Sequence, residues 1–226
     1  MPSQDVPRRA GRPPRRVLTR DLITRSTLEL LESAGYERFT MAALARTLQV
    51  APSALYNHVE SKKDVLLWVQ DHLMGLVDTT AFEHQPWYEA LREWAWSYRD
   101  IFALHAPLIP IIAVMPVGGA PETLRMYEQV ARGLINGGWP PERVVPGIVA
   151  IESFIYGSAL DVSAPENIFD AGGLAEKFPI FTSAVASSRP PGPHENRADT
   201  AFEGGLTAMI DGLRDQIAQE GPVTID

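Results

Sequence analysis

Residues 40–66, TMAALARTLQVAPSALYNHVESKKDVL, constrain the fold more than any other part of the chain. Thr40 suits the N-cap of a helix over residues 41–48, whose Leu44, Ala45 and Leu48 share one face. A break at residues 49–51 follows. Pro52 then opens a second helix, residues 52–58, at the position where its missing N–H costs nothing. Ser61 and Asp64 form a capping-box pair for the next helix. Helices shorter than about 12 residues do not persist alone in water, so the 52–58 segment must be held by its neighbours. Leu44, Leu48, Val50, Leu55 and Val59 supply the apolar contacts, and the small Ala45 lets two helices cross closely. This is the pattern of a helix-turn-helix, whose second helix is offered to the major groove of DNA. Spacing alone leaves open an αα-corner with no further role.

The rest of the chain also reads as helices. Ile23, Thr27, Leu30, Leu31 and Ala34 recur at helical spacing before Gly35, and further helices are predicted over 61–73, 87–104, 122–135, 142–162 and from about 199 onward. The apolar run 106–115 is a short segment of its own. No run alternates with period two. The predicted fold is all-α: a basic disordered arm (1–18), a three-helix DNA-binding head (19–66) and a larger helical body (67–226), with a mobile loop at 187–196.

Charge supports this division. Residues 1–66 hold 11 Lys and Arg against 7 Asp and Glu, whereas residues 67–226 hold 9 against 21, so a basic head sits on an acidic body. The arm's RRAGRPPRR, centred on Arg12, is similar to the Gly-Arg-Pro core of an AT-hook, and reads equally as a solubilising tail. The chain has no cysteine, which excludes thiol chemistry and disulfides and suits a cytoplasmic location. No apolar run approaches a membrane span, so no membrane partner is expected.

Leu55, Tyr56, His58, Val59 and Lys62 match in order and spacing the Leu-Tyr-x-His-Val signature, short link and lysine of the TetR (tetracycline-repressor) family of bacterial transcriptional regulators, which the head therefore resembles over about fifty residues. The body resembles more loosely the ligand-binding and dimerising domain of the tetracycline-repressor branch. The resemblance implies that Thr40 contacts phosphate, that Pro52, Ser53 and Ala54 read bases, that Tyr56 and His58 grip the backbone with Asn57 facing the groove, and that Lys62, helped by Lys63, meets phosphate. Three positions depart from the family pattern. Gln49 stands where the turn often has glycine, so a positive φ there would cost about 1 kcal/mol. Ala54 replaces a frequent threonine, and Glu60 a basic or neutral residue. Base reading is thereby spare, and phosphates and DNA shape supply much of the affinity.

The body is rich in aromatic residues, with His72, His105, Glu152 and Asp161 among them. Trp68, His72, Trp94, Phe102, His105, Met115, Ile151, Phe154 and Ile155 are the candidate lining of an apolar effector pocket, ordinary core being the other reading of each. The tetracycline-repressor branch places a chelating histidine in the segment after His105. Residues 108–115 contain no His, Asp or Glu, so a metal-bound tetracycline is not the expected effector and neither metal nor cofactor is predicted. Ile148, Ile151, Ile155, Leu206, Met209, Ile210, Leu213 and Ile217 are the candidate interface of a homodimer, in which two recognition helices about 34 to 36 Å apart would meet a palindromic operator. The expected function is a repressor released by a small hydrophobic effector. Two alternatives stand beside it: an architectural or partner-dependent DNA-binding protein with no effector, and a helical enzyme using His72 or His105 as base. The chain lacks a Gly-x-Ser-x-Gly elbow, a phosphate loop and a His-Glu-x-x-His motif, so no enzymatic activity is expected.

Overall fold

The computed structural model describes residues 17–188 and 197–220. Arg12 and nearly all of the basic arm, like most of the 187–196 loop, lie outside them. Every regular element among the described residues is helical.

The head begins with α1 (Arg20–Ala34), capped by Thr19, whose hydroxyl accepts from Leu22 N at 3.2 Å, and stopped at Gly35 with φ 78°. Next come α2 (Met41–Thr47), capped by Thr40, and α3 (Pro52–Tyr56). The third helix stops at Tyr56 instead of reaching His58, so Asn57 and His58 lie in the turn that follows it. Helix α4 (Lys62–Met74) carries the expected capping box of Ser61 and Asp64.

The body consists of α5 (Trp87–Leu104), the one-turn α6 (Ile109–Ile112), α7 (Pro121–Asn136), α8 (Pro141–Asp161), α9 (Pro179–Ser187) and α10 (Arg197–Glu220). Helix α9 has no counterpart in the sequence reading; Pro179 at its first turn was the available signal. Helices α5 and α8 pack as the central pair, α10 lies against both, and α7 connects α4 to α8. Where α8 meets α10 the approach is close: a Cβ on Gly205 would fall 2.5 Å from the Phe154 ring. Arg99, 1% exposed, ties three helices together. Its Nε donates to Ser158 Oγ of α8 at 3.0 Å, its Nη2 lies 2.7 Å from Asp199 Oδ1 of α10, and its guanidinium covers the Trp96 and Phe202 rings.

One apolar cluster runs without a break from Ile23 and Leu44 in the head to Ile151 and Ile210 in the body. The expected division between residues 66 and 67 falls inside α4. That helix buries Val65 and Leu66 on the head side of this point and Val69, Leu73 and Met74 beyond it.

Candidate functional site

The head exposes the surface that the sequence pointed to. Thr40 accepts from Ala43 N at 3.1 Å, fixing the start of α2. At its other end Gln49 has φ 57°, with Gln49 N bonded to Arg46 O at 3.1 Å and Val50 N to Ala45 O at 3.0 Å. This is a Schellman stop built on a residue with a Cβ, so the strain expected at Gln49 is present. Leu55 is fully buried and Val59 nearly so, which anchors α3 by its inner side. Pro52, Ser53, Tyr56, Asn57 and His58 are exposed, with Tyr56 at 53%, while Ala54 is half-buried. Lys63 is exposed, and the Lys62 ammonium sits 4.0 Å from the Tyr36 ring centre and 5.0 Å from that of Phe39. Its charge is thus held by aromatic faces at the start of α4.

Behind this surface, the head joins the body through a buried carboxylate. Asp71 of α4 is 2% exposed. Its Oδ1 accepts from Glu122 N at 2.8 Å and Thr123 N at 3.0 Å, the first free N–H groups of α7, and its Oδ2 accepts from Arg20 of α1 at 2.7 Å. Ala120, at the N-cap of α7, has no side chain to do this. Asp71 therefore caps α7 from another helix while holding the first residue of the head's first helix. The Arg20 guanidinium also lies over Trp68, and a cavity of about 360 Å³ opens beside the group, lined in part by Thr24, Trp68 and His72. His105 lies at the same junction: its Nδ1 is 3.2 Å from Glu32 Oε1 of α1, close enough for an ion pair but out of line for a hydrogen bond. Burial lowers its pKa more than Glu32 raises it.

The nine candidate pocket residues do not line one cavity. Trp68, His72 and His105 belong to the junction between head and body. Trp94, Phe102, Ile151 and Ile155 are fully buried, with Trp94 Nε1 directed at Met126 Sδ at 3.3 Å. Phe154 stacks on Phe202 at 5.3 Å, and Met115 is half-buried in the loop after α6. The sequence places Glu152 among the body's aromatic residues but does not reveal the cluster it forms. Tyr127 of α7 donates to Glu152 Oε1 of α8 at 2.6 Å, Tyr98 of α5 donates to the same oxygen at 3.1 Å, and the Tyr98 and Tyr156 hydroxyls are 2.7 Å apart. Burial pushes the Glu152 carboxyl above its ordinary range, although both phenols pull the other way. Burial likewise raises Tyr98, Tyr127 and Tyr156. Glu152 and Tyr156, four apart in an apolar helical run, were the legible half of this cluster.

The candidate interface residues face inward to different degrees. Ile148, Ile151, Ile155, Leu206 and Ile210 are at most 5% exposed within a single chain, and Met209, Leu213 and Ile217 are half-buried against the same core. The first five are consumed by the protomer's own core, whereas the last three keep part of their surface. The outer stripe of α8 instead carries Val145 at 66% exposed, Val149 at 53% and Leu160 at 46%, together with Ser153 and Gly157. On α10 the exposed residues include a stripe of small ones, Ala201, Gly204, Ala208 and Gly212, beside charged ones such as Asp211 and Arg214. Among the described residues α8 is the one helix long and apolar enough to suit a membrane, but its inner stripe is sealed by α5 and α10.

Comparison with known proteins accounts for both halves. Residues 23–69 match the family of bacterial regulatory proteins called tetR, and residues 81–217 match the tetracyclin repressor-like C-terminal domain. Tetracycline repressor protein class A from transposon 1721 of Escherichia coli is 26% identical over 204 residues, covering 84% of this chain and 88% of that protein. The crystal structure of apo ActR from Streptomyces coelicolor has 25% identity and a TM-score of 0.74, covering 90% of this chain and 98% of ActR. ActR in complex with actinorhodin gives 27% identity and a TM-score of 0.71 over 89% of this chain and 99% of ActR. These relatives are transcriptional regulators.

Proposed function

Because the chain belongs to the TetR family of bacterial transcriptional regulators, we propose that it is a homodimeric repressor released from a palindromic operator by a small, largely apolar effector. The observation that carries the reading is the exposed face of α3 and its following turn, braced on α2 and flanked by the capped starts of α2 and α4. In this reading Ser53 and Asn57 contact base edges, Pro52 and Ala54 meet thymine methyls, and Thr40, Tyr56, His58, Lys62 and Lys63 meet phosphates. Such a regulator works in the cytoplasm, beside the DNA.

Dimerisation uses the outer stripe of α8 against the small residues of α10 in a four-helix bundle. Helix α9 has no buried residue and exposes Ile180 and Phe181, with Phe178 exposed just before it, all of which the second protomer would cover. Effector binding in the body favours a conformation in which the two heads no longer fit successive major grooves. Asp71 is the route for this: any shift of the start of α7 acts on the carboxylate that also holds Arg20 of the head.

Electrophoretic mobility shifts with the DNA flanking the protein's own gene test the reading. Tyr56→Ala and Lys62→Ala should weaken binding to all sequences and flatten its salt dependence, whereas Asn57→Ala should change base preference. Unchanged affinity in all three variants refutes the assignment of this face. Loss of the shifted band on adding a bound small molecule separates an effector-released repressor from a DNA-binding protein without an effector.

A further inference from the structure

Glu152 is a carboxylate set between three helices without a counter-charge. Tyr127 and Tyr98 both donate to Oε1, and Tyr156 is linked to the pair through the Tyr98 hydroxyl. Two phenols therefore share one carboxylate oxygen, and the third reaches it only through Tyr98. No described residue donates a hydrogen bond to Oε2, and no described Lys, Arg or His lies within ion-pairing distance of either oxygen. The walls are aromatic: Tyr98 meets Tyr156 edge-on at 5.6 Å, and Phe102 meets Tyr156 at 5.3 Å. Tyr98 and Phe102 are fully buried, whereas Glu152, Tyr127 and Tyr156 are half-buried, so solvent reaches part of the group.

A partly buried anion with no cation costs stability, and a fold keeps one where something else supplies the charge. A carboxylate beside π-faces is the chemistry that recognises an organic cation: the oxygen takes the charge and its N–H, and the rings take the rest. We infer that Glu152, Tyr98, Tyr127 and Tyr156 form the polar anchor of the effector site, and that the effector they take carries a protonated amine on an apolar, largely aromatic skeleton. This inference rests on the reading of the chain as an effector-released repressor, and it gives that reading a physical route. Tyr127 stands one turn beyond Thr123 on α7, the helix whose start is capped by Asp71. A cation that drew Tyr127 and Glu152 toward itself would load the helix that is coupled to the head.

The test uses three probes of similar shape with the full-length protein: 1-naphthylmethylamine (cationic), 1-naphthylmethanol (neutral) and 1-naphthylacetate (anionic), each titrated against tryptophan fluorescence. The amine should bind at least about 10-fold more tightly than the alcohol, and the acetate weakest. Glu152→Gln, which removes an unpaired charge and so should not unfold the body, should abolish the preference for the amine, and Tyr127→Phe should reduce it. Equal binding of amine and alcohol, an amine preference that survives Glu152→Gln, or no binding of the amine overturns the assignment. Mobility shifts separate the two levels of inference. If the alcohol releases DNA as well as the amine does, the effector-released reading stands and the cation is wrong. If the amine binds through Glu152 and leaves DNA bound, the cation site stands and the release reading falls.

Discussion

Replacing Asp71 by alanine removes three interactions that differ in strength. The two bonds that Oδ1 accepts from Glu122 N and Thr123 N are charge-assisted; the second is buried, and Thr123 is 0% exposed, so its N–H would have no water to turn to. Hydrogen bonds to a charged group contribute about 1.5–3 kcal/mol each, and loss of a helix cap about 1–2. The bonds to Arg20 contribute less, because that side chain is 42% exposed, and exposed pairs are worth about 1 kcal/mol or less. These contributions overlap, and their combined loss in Asp71→Ala is about 3–4 kcal/mol. For a chain of this size that corresponds to a fall in Tm of about 6–16 °C. Arg20→Ala should cost about 1 kcal/mol or less, and Asp71→Asn, which keeps one acceptor for α7, should fall between the two. Thermal unfolding followed by circular dichroism at one fixed protein concentration checks the order, since the Tm of a dimer depends on concentration. A loss below about 1 kcal/mol in Asp71→Ala, or equal losses in Asp71→Ala and Arg20→Ala, would refute the view that α7 is capped from α4.

Gln49→Gly should raise stability by about 0.5–1 kcal/mol, since it relieves a Cβ at φ 57° but loosens the unfolded chain; a lower urea midpoint would count against strain at this turn. Val149→Asp, on the exposed stripe of α8, should dissociate the proposed dimer in sedimentation while leaving the helical signal intact, whereas Ile151→Asp should unfold the chain; a dimeric Val149→Asp would move the proposed interface elsewhere. Glu152 has a raised pKa, so folding favours its protonated form, and its contribution to stability declines as pH rises from the ordinary glutamate value of about 4.3 through the raised one. The stability of Glu152→Gln relative to the unaltered protein should therefore increase across that interval and level off above it; a difference independent of pH would contradict a half-buried carboxylate without a counter-charge.

The head was legible because its devices are local. Thr40, Pro52 and the Ser61–Asp64 pair act on backbone groups three residues away or nearer, and the strain at Gln49 follows from a turn that needs φ > 0. The body was legible in its elements, α9 apart, and not in its sides. Helix α8 is apolar nearly all round, so periodicity could not say whether Ile148, Ile151 and Ile155 or Val145 and Val149 face inward; packing against α5 and α10 decides it. The candidate pocket scattered for a related reason. His72 and His105 are far apart in sequence, yet both lie at the junction between head and body, and nothing in their spacing carries that information. The tyrosines around Glu152 come from α5, α7 and α8, so only Tyr156, on Glu152's own helix, could be paired with it beforehand.

Helix α4 belongs to the head by its start and to the body by its end, and this sets where regulators of this kind can be recombined. A graft cut at residue 66 would sever the helix and strip Val69 and Leu73 of their head-side neighbours, leaving two fragments with raw apolar ends. A hybrid sensor joining this DNA specificity to a foreign effector domain should keep α4 whole and splice after Gly75. It should also carry Arg20 and Asp71 together with an α7 whose first turn accepts that carboxylate.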